Sequence, residues 1–215
     1  RTSNVLPWPG RLRTLMPPPI ISQKRREMAS PSPVPPNLRV VLASAWVNGG
    51  RGVTIHWTVV PTSLGDMLVA ATEKGVCRLA FNEGEEELRA RFPKADLVAA
   101  GDDFRTLFEQ VVAAVEQPGS DNSHIPLDVK GTAFQQRCWD ALRAIPAGET
   151  RSYGQQAAML GNPKASRAVG SANGANNIAV LIPCHRVVQA DGSIGGYAYG
   201  PEIKAELLKR ERSSG

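Results

Sequence analysis

The sequence predicts an α/β N-terminal module followed by a mainly α C-terminal domain that contains a helix-turn-helix. Three observations predict this fold class: strand-like runs around a glycine turn after residue 55, helical periodicity in residues 102–117, and a helix–break–helix outline in residues 151–177. With 215 residues, 42% of them hydrophobic, the chain can form one or two small globular domains.

Residues 1–54 are predicted as a flexible, Pro-rich extension that belongs to neither part. Nine of the 17 prolines fall in the first 36 residues, and "MASPSPVPP" is typical of polyproline segments that build no core. The basic start lacks the apolar region of a signal peptide. Because the sequence does not begin with Met, a natural start further upstream is left open, as is the role of this extension.

Residues 55–128 are predicted as the α/β module. The runs "MLVAAT" and "VCRLAF" on either side of "EKG" predict a β-hairpin. The stretches "EGEEELRARF" and "DDFRTLFEQVVAAVEQ" predict helices, and "HIPLDV" predicts a short strand. No pattern in this module is typical of a catalytic site, and we interpret His56 and His124 as incidental rather than as metal ligands.

Residues 129–215 are predicted as the C-terminal domain, which begins with a helix in "GTAFQQRCWDALRAIPAG". Thr132 and Gln135 form the sequence pattern of a capping box, and Pro146 with Gly148 ends the helix. The helical spacing places one set of side chains on the inner face: Phe134, Cys138, Ala141, Leu142 and Ile145. Cys138 is therefore predicted to be a small buried hydrophobic residue and not a nucleophile.

Two short helices separated by "GNP" follow, with Pro163 suited to the first turn of the second helix. This outline fits a DNA-binding helix-turn-helix, and it equally fits an ordinary corner between two helices. The second helix carries mostly small residues, with Arg167 the main long side chain after Lys164. Such a helix has few side chains that could bond to the edges of bases. Its small residues permit close approach to DNA, and its one arginine could insert into the duplex.

The charge is divided unevenly along the chain. Residues 131–215 carry ten basic and six acidic side chains, whereas residues 55–130 carry seven basic and thirteen acidic ones. The net charge of +5 owes most to residues 1–26, which hold six basic side chains and no acidic one. This division suits a polyanionic partner that binds to the basic C-terminal part and not to the acidic middle of the chain.

The three cysteines exclude some classes of protein. Cys77, Cys138 and Cys184 are too few for a disulfide framework and lack zinc-ligand spacing, so the sequence favours reduced thiols in a cytoplasmic protein without a metal site. No run approaches the roughly 18 apolar residues that a membrane-spanning helix needs, which excludes a membrane protein of that kind.

Cys184 has the surroundings of a candidate nucleophile. The apolar run "IAVLIP" predicts a strand that ends at Pro183 and presents Cys184 at the edge of the core. A thiolate needs a nearby cation, base or dipole. Because neighbouring side chains on a strand point to opposite faces, direct contact with His185 and contact through water both remain open.

Glu211 is a candidate for the group that would orient this histidine. It lies beside the apolar face of the last predicted helix, "PEIKAELLKRE", where a buried carboxylate must find a partner. The alternative for Glu211 is exposure to solvent at the chain end.

The motif "IPCHRVV", preceded by "SYGQQAAMLGNPKASRAVGSA" and followed by "GGYAYG" and "KAELLKRE", resembles the O6-alkylguanine-DNA alkyltransferase family. The resemblance covers residues 57–212 and is closest to the C-terminal half of the bacterial adaptive-response members. It implies a ribonuclease H-like small sheet in the N-terminal module. It also implies a monomeric bacterial protein that acts in the cytoplasm on double-stranded DNA carrying O6-alkylguanine, and on O4-alkylthymine.

The resemblance further implies the chemistry and its residues. An alkyl group passes irreversibly from the flipped base to Cys184, once per molecule, without a cofactor. His185 resembles the base that acts through water, and Glu211 the carboxylate that orients it. Tyr153 resembles the phenol that protonates the departing guanine. Asn176 resembles the residue that braces the active-site turn, although this chain has "NN" where many relatives have "NP".

The resemblance also implies a DNA contact surface and a substrate pocket. Arg167 resembles the finger that replaces the flipped nucleotide, and the other expected DNA contacts are Ser152, Lys164, Ala165 and Ser166. The expected pocket residues are Pro183, Gly196, Tyr197, Ala198 and Lys204. Ala198 stands where relatives have a hydroxyl, so the alkyl pocket wall is expected to differ slightly.

Two other classes of protein remain as alternatives. The first is a cysteine hydrolase, and the second is a non-catalytic lesion sensor or helix-turn-helix regulator. Because no cysteine precedes Cys77, the four-cysteine zinc domain of the adaptive-response proteins and its transcriptional role are expected to be absent. The preferred alkyl size and cooperativity on DNA are left open.

Overall fold

A computed structural model describes residues 49–213 of the chain. The predicted extension, residues 1–54, lies almost wholly outside the described residues. The predicted fold class is confirmed: a small sheet with helices is followed by a mainly helical part that contains a helix-turn-helix. Within residues 49–213, no helix is both long and apolar enough to cross a membrane.

Four strands form the N-terminal sheet in the order β3-β2-β1-β4. They are β1 (Thr54–Thr62), β2 (Gly65–Thr72), β3 (Gly75–Phe81) and β4 (Asp96–Ala99). The predicted hairpin is confirmed as the antiparallel pair β2–β3, whereas β1 and the parallel β4 were not predicted.

Gly75 is required at the start of β3. Its φ is +141°, and a Cβ atom there would lie 2.4 Å from the carbonyl oxygen of Pro126. The hairpin therefore packs against the segment that was predicted as the strand "HIPLDV". That prediction was wrong: Leu127 forms only an isolated bridge with Val76, since Pro126 has no N–H with which to extend a ladder.

Both predicted helices of the N-terminal module are present, as α1 (Glu85–Arg91) and α2 (Arg105–Glu116), the latter preceded by a 3-10 turn. The apolar spacing of α2 buries one face against the sheet, through Phe108, Val111, Ala114 and Val115. The last helix also contacts this module: Arg210 Nη1 donates to Ser63 Oγ, just after β1, over 2.8 Å and lies 3.5 Å from Glu116 Oε2 at the end of α2.

The first helix of the C-terminal part is α3 (Ala133–Arg143), and the predicted capping box is confirmed by reciprocal bonds between Thr132 and Gln135. Cys138 is buried as predicted. The placement of Phe134 on the inner face was wrong, since its side chain is 37% exposed. The buried face is rotated toward Trp139, whose indole N–H donates to the carbonyl oxygen of Ala172 over 2.9 Å.

The helix–break–helix outline is confirmed. A short strand β5 (Arg151–Ser152) leads into α4 (Tyr153–Met159), and a 3-10 turn (Pro163–Ala165) leads into α5 (Ser166–Gly174). A buried amide pair fixes the two helices: Asn173 Nδ2 donates to Gln156 Oε1 over 2.7 Å, and Gln156 Nε2 donates to Asn173 Oδ1 over 3.2 Å.

The predicted strand "IAVLIP" was wrong. Residues 178–183 form consecutive turns, with an isolated bridge between Ile178 and Leu79. Their apolar character reflects burial within the core shared by both parts, and several of their backbone groups are bonded within turns or to the side chain of Asn176. A 3-10 turn (Cys184–Arg186), the short strand β6 (Val187–Val188) and α6 (Pro201–Ser213) complete the chain, and β6 pairs with β5.

Candidate active site

Cys184 begins the 3-10 turn, with its side chain only partly exposed. Pro183 is the centre of a tight turn with φ −81° and ψ 64°, closed by a 2.8 Å bond from the Cys184 N–H to the carbonyl oxygen of Ile182. These angles are those of an inverse γ-turn, and the ring of proline favours the required φ. The tight turn at Pro183 thus sets the position of the Cys184 thiol.

Asn176 holds this turn and contacts the sulfur. Its Nδ2 donates to the carbonyl oxygen of Ile182 over 2.8 Å and to Cys184 Sγ over 3.3 Å, while its Oδ1 accepts from the N–H of Ile178 over 2.9 Å. Residues 176–184 form the active-site loop, and one buried amide therefore joins both ends of this loop to the thiol.

His185 and Glu211 form a buried pair beneath the loop. The imidazole Nε2 lies 2.8 Å from Glu211 Oε1, and both side chains are inaccessible to solvent. Arg186 completes the cluster, because its Nη2 donates to Glu211 Oε1 over 2.8 Å and its Nη1 donates to the carbonyl oxygen of Ile145 over 2.5 Å. No role for Arg186 was predicted from the sequence. A buried carboxylate on α6 was the signal that a compensating cation was needed.

The charges in this cluster fix the tautomer of His185. Burial by itself raises the pKa of Glu211, but hydrogen bonds from His185 and Arg186 lower it to about 2, so the carboxylate is ionised and only accepts. Burial lowers the pKa of His185, so the imidazole is neutral. Nε2 must therefore carry the proton that bonds to Glu211, which leaves the lone pair on Nδ1. This Nδ1 is buried and has no hydrogen-bond partner among residues 49–213.

The thiol of Cys184 is protonated at neutral pH, because burial raises its pKa. The amide of Asn176, the ammonium of Lys204 and backbone N–H groups act in the opposite direction and favour the thiolate. Lys204 is buried, with its Nζ donating to the carbonyl oxygens of Val187 over 2.7 Å and of Gly196 over 3.3 Å. The thiol therefore needs a base to remove its proton. The site also contains groups that stabilise the thiolate that would form.

Two tyrosines lie near the sulfur. Tyr153 starts α4 and packs against Gly170, where an added Cβ would lie 3.7 Å from its ring. Burial, and then the charge of Cys184, raises the pKa of both Tyr153 and Tyr197. Both phenols are therefore protonated donors at neutral pH, and the Tyr197 hydroxyl is buried without a partner in the described part of the chain. Ala198, next to it, is exposed.

The expected DNA contacts lie on or next to the helix-turn-helix. Arg167 and Lys164 are exposed, whereas Ala165 packs against the cluster between α4 and α5. Ser152 Oγ caps α4 by accepting from the Gln155 N–H over 3.2 Å, and Ser166 Oγ lies 3.5 Å from the carbonyl oxygen of Pro163. The accessible face of α5 therefore presents one long side chain among small ones.

A cavity of about 630 Å³ is lined by residues 119–127, by the C-terminal end of α3 and by Val180, Leu181, Pro183 and Arg186. Its lining includes Pro183 and Arg186 but not Cys184. The structure thus brings the expected catalytic residues to one place, and Pro183, which precedes the thiol, also lines this neighbouring cavity.

The fold and the site define a class of protein: a small sheet module joined to a helix-turn-helix domain that carries a Cys–His–Glu arrangement. Known protein families match both of these parts. Residues 55–129 match the ribonuclease-like domain, and residues 133–213 the DNA binding domain, of 6-O-methylguanine DNA methyltransferase. The chain belongs to this family, as its resemblance had indicated.

Individual relatives cover the chain to different extents. It is 43% identical over 173 residues to the bifunctional transcriptional activator/DNA repair enzyme Ada of Escherichia coli, covering 79% of this chain and 49% of that protein. It is 40% identical over 161 residues to a methylated-DNA–protein-cysteine methyltransferase of Methanosarcina acetivorans, covering 74% of this chain and 99% of the relative. The chain therefore spans about half the length of Ada and nearly all of the archaeal protein.

Solved structures show the same fold. The crystal structure of the O6-methylguanine methyltransferase of Mycobacterium tuberculosis superposes with a TM-score of 0.62 at 37% identity, covering 75% of this chain and 94% of that one. A structure of the same protein in complex with DNA gives a TM-score of 0.61 at 36% identity over the same shares of the two chains.

Proposed function

We propose that this chain is a methylated-DNA–[protein]-cysteine S-methyltransferase, which transfers an alkyl group from O6 of guanine in double-stranded DNA to Cys184. The observation that carries the proposal is the partly exposed thiol, held by Asn176 beside a neutral imidazole with a free nitrogen. In this proposal residues 129–215 form the transferase domain and residues 55–128 support it. The protein acts as a monomer in the bacterial cytoplasm, and O4-alkylthymine is a second substrate.

The first step is deprotonation of the thiol. His185 Nδ1 takes the proton of Cys184 through a bridging water, and the carboxylate of Glu211 stabilises the imidazolium that forms. The ionised carboxylate accepts a hydrogen bond from Nε2–H throughout, so the imidazole keeps its orientation. Asn176 and Lys204 stabilise the thiolate.

The second step is displacement at the alkyl carbon. A sulfur–carbon bond forms as the carbon–O6 bond breaks, and the electron pair passes to the guanine. Tyr153, a protonated phenol close to the thiol, donates a proton to the departing base. Because the sulfur itself accepts the carbon, the reaction requires no cofactor or metal. A thioether has no easily expelled group, so each molecule reacts once.

Access to the base requires that the nucleotide leave the helix, which costs a few kcal/mol. Arg167 enters the duplex in its place, and the small residues of α5 let the backbone approach the groove. Ser152, Lys164, Ala165 and Ser166 contact the DNA around this point, and backbone contacts of this kind fix orientation rather than sequence. The everted base enters a pocket bounded by Tyr197, Gly196, Ala198, Lys204 and Pro183.

Intact mass after mixing with DNA that contains O6-methylguanine tests the proposal. We expect one added methyl group, located at Cys184, and no addition in the Cys184→Ala variant. Unchanged mass together with specific binding to the lesion would instead establish a sensor. Repeated turnover of an ester or peptide would establish a hydrolase.

A further inference from the structure

The active-site loop lies along the outer edge of β3. The N–H of Leu79 donates to the carbonyl oxygen of Asn177 over 2.9 Å, and the N–H of Ala179 donates to the carbonyl oxygen of Leu79 over 3.1 Å. The hydroxyl of Tyr199 lies 3.4 Å from that same Leu79 oxygen. Because β3 is an edge strand of the sheet, the backbone groups of Leu79 on its outer edge are satisfied by the loop that carries the thiol.

The loop contains a strained residue between these contacts and Cys184. Val180 has a φ of +64°, and the N–H of Leu181 donates to the carbonyl oxygen of Ala179 over 2.7 Å across it. A three-residue turn with positive φ at its centre is the rare, strained form of the γ-turn, and it is least favourable for a β-branched residue. Such a conformation persists only when the surrounding structure fixes it.

Two amides hold the segment before Val180. Asn176 bonds within the loop and to the thiol, and its neighbour Asn177 bonds to the N-terminal module. The side chain of Asn177 also contacts a buried cation, because Arg78 Nη1 lies 3.4 Å from Asn177 Oδ1. Arg78 on β3 therefore contacts Asn177, and the residue before it, Asn176, contacts Cys184 Sγ.

The geometry of the guanidinium explains why an arginine can make this link. Glu83 pairs with Nε and Nη2 of Arg78, and the Nε–Oε2 distance is 3.1 Å, so the buried charge is compensated. The remaining arm, Nη1, points to Asn177 because the donors of arginine are fixed in one plane. A lysine could pair with Glu83 but has no second rigid arm.

We propose that Arg78 is a positioning residue for alkyl transfer: it anchors Asn177 and thereby holds Asn176 against the sulfur of Cys184. This inference rests on the proposed function. It gives the N-terminal module a direct part in the rate of reaction, through one side chain and the edge of one strand.

The test uses the full chain and its single-turnover reaction with free O6-benzylguanine. The variants are Arg78→Lys, Asn177→Ala and the double variant. Asn177→Ala removes the acceptor and leaves the Arg78–Glu83 pair intact, so it remains informative if Arg78→Lys folds poorly. Arg89→Lys is the matched control, because Arg89 is exposed on α1 of the same module and pairs with Glu85.

The amplitude of the reaction counts competent molecules, and the limiting rate constant at saturating substrate measures the positioning of the thiol. We expect each single variant to lower the rate constant roughly threefold to tenfold, which corresponds to one weak hydrogen bond. The double variant should be no slower than the slower single variant, and Arg89→Lys should match the wild type. The pH at which the rate rises should also move upward, since Asn176 favours the thiolate.

Distinct results would overturn the inference. If the variants keep the wild-type rate constant but show a reduced amplitude or a lower Tm, the role of Arg78 is only structural. Losses that multiply in the double variant would show that Arg78 and Asn177 act independently. If the wild-type protein itself forms no thioether, the proposed function fails, and that result is read before any variant is compared.

Discussion

Nε2 of His185 lies 2.8 Å from Oε1 of Glu211, although the two residues are 26 positions apart and belong to different elements. Both are buried, and Arg186 Nη2 also pairs with Glu211 Oε1 and compensates the charge of the carboxylate. A histidine in this position is neutral and keeps its free nitrogen on Nδ1, which is the arrangement required of a base that is oriented by a carboxylate.

The first prediction concerns the role of this pair in the reaction. Glu211→Gln removes the charge that stabilises an imidazolium, so we expect the rate of alkyl transfer to fall roughly 10- to 100-fold, within the usual range for general base catalysis. Intact mass as a function of time measures this rate. Glu206→Gln is the control, since Glu206 lies on the same helix and its pairs with Lys209 and Arg210 are at the surface. Equal rates in both variants would remove the role of Glu211.

The second prediction concerns stability in acid. The pKa of Glu211 is lowered in the folded protein from about 4.5 to about 2, so the unfolded chain binds its proton at higher pH than the folded one. The stabilisation is therefore complete above about pH 4.5 and is lost as the pH falls toward 2. Its size is roughly 3 kcal/mol. Urea unfolding at a series of pH values should show this loss in the wild type, and a Glu211→Gln curve with the same slope would contradict it.

The third prediction concerns the thiol. Asn176 Nδ2 lies 3.3 Å from Cys184 Sγ and favours the thiolate, while burial already raises the pKa of Cys184. Asn176→Ala should therefore raise this pKa further and move the rise of the alkylation rate to higher pH. The measurement is the pH profile of reaction with O6-benzylguanine. A profile that moves to lower pH, or does not move, would mean that the amide does not act on the sulfur.

The fourth prediction separates base flipping from chemistry. Arg167 is exposed on α5, and we place it in the duplex. Arg167→Ala should slow repair of double-stranded DNA at least tenfold, because unstacking costs a few kcal/mol, while reaction with free O6-benzylguanine stays unchanged. Arg212→Ala, which removes an exposed arginine at the end of α6, serves as control. Equal slowing with both substrates would exclude the finger role.

The fifth prediction concerns the buried amide pair that joins the two helices of the helix-turn-helix. Gln156 and Asn173 satisfy each other inside the protein. Gln156→Leu leaves a buried amide without its partner, so the free energy of unfolding should fall by about 1–3 kcal/mol. Adding Asn173→Leu should recover part of the loss, because neither amide of the pair is then left alone, while the 3.1 Å bond from Gln156 Nε2 to the carbonyl oxygen of Cys138 is absent from both variants. Chemical denaturation measures both, and additive losses would show that the two amides are not coupled.

Local patterns in the sequence predicted local structure well. The capping box of α3, the helical spacing of α2, the β2–β3 hairpin and the break at Pro163 depend on residues within one turn of one another. Their conformations are set by hydrogen bonds and side-chain spacing that the sequence displays directly. The motif around Cys184 also identified the family, which the comparisons confirm.

Apolar runs were the source of the errors. The stretches "HIPLDV" and "IAVLIP" were both predicted as strands, yet each forms only an isolated bridge to β3. Burial makes a segment apolar whether or not it has a strand partner, so periodicity cannot separate a buried turn from a buried strand. Phe134 was placed on the inner face of α3 and Trp139 was not considered for a related reason, because the inner face depends on which side chain finds a partner on α5.

The sequence by itself determined the helices, the hairpin, the thiol and its neighbouring histidine, because each follows from residues close together in the chain. Only the tertiary structure decided that Glu211 and Arg186 share one buried cluster, and that Arg78 reaches Asn177 across 99 positions. Contacts of this kind arise when whole elements pack around a common core and buried charges must be compensated there. No local propensity encodes which distant residue provides the compensation.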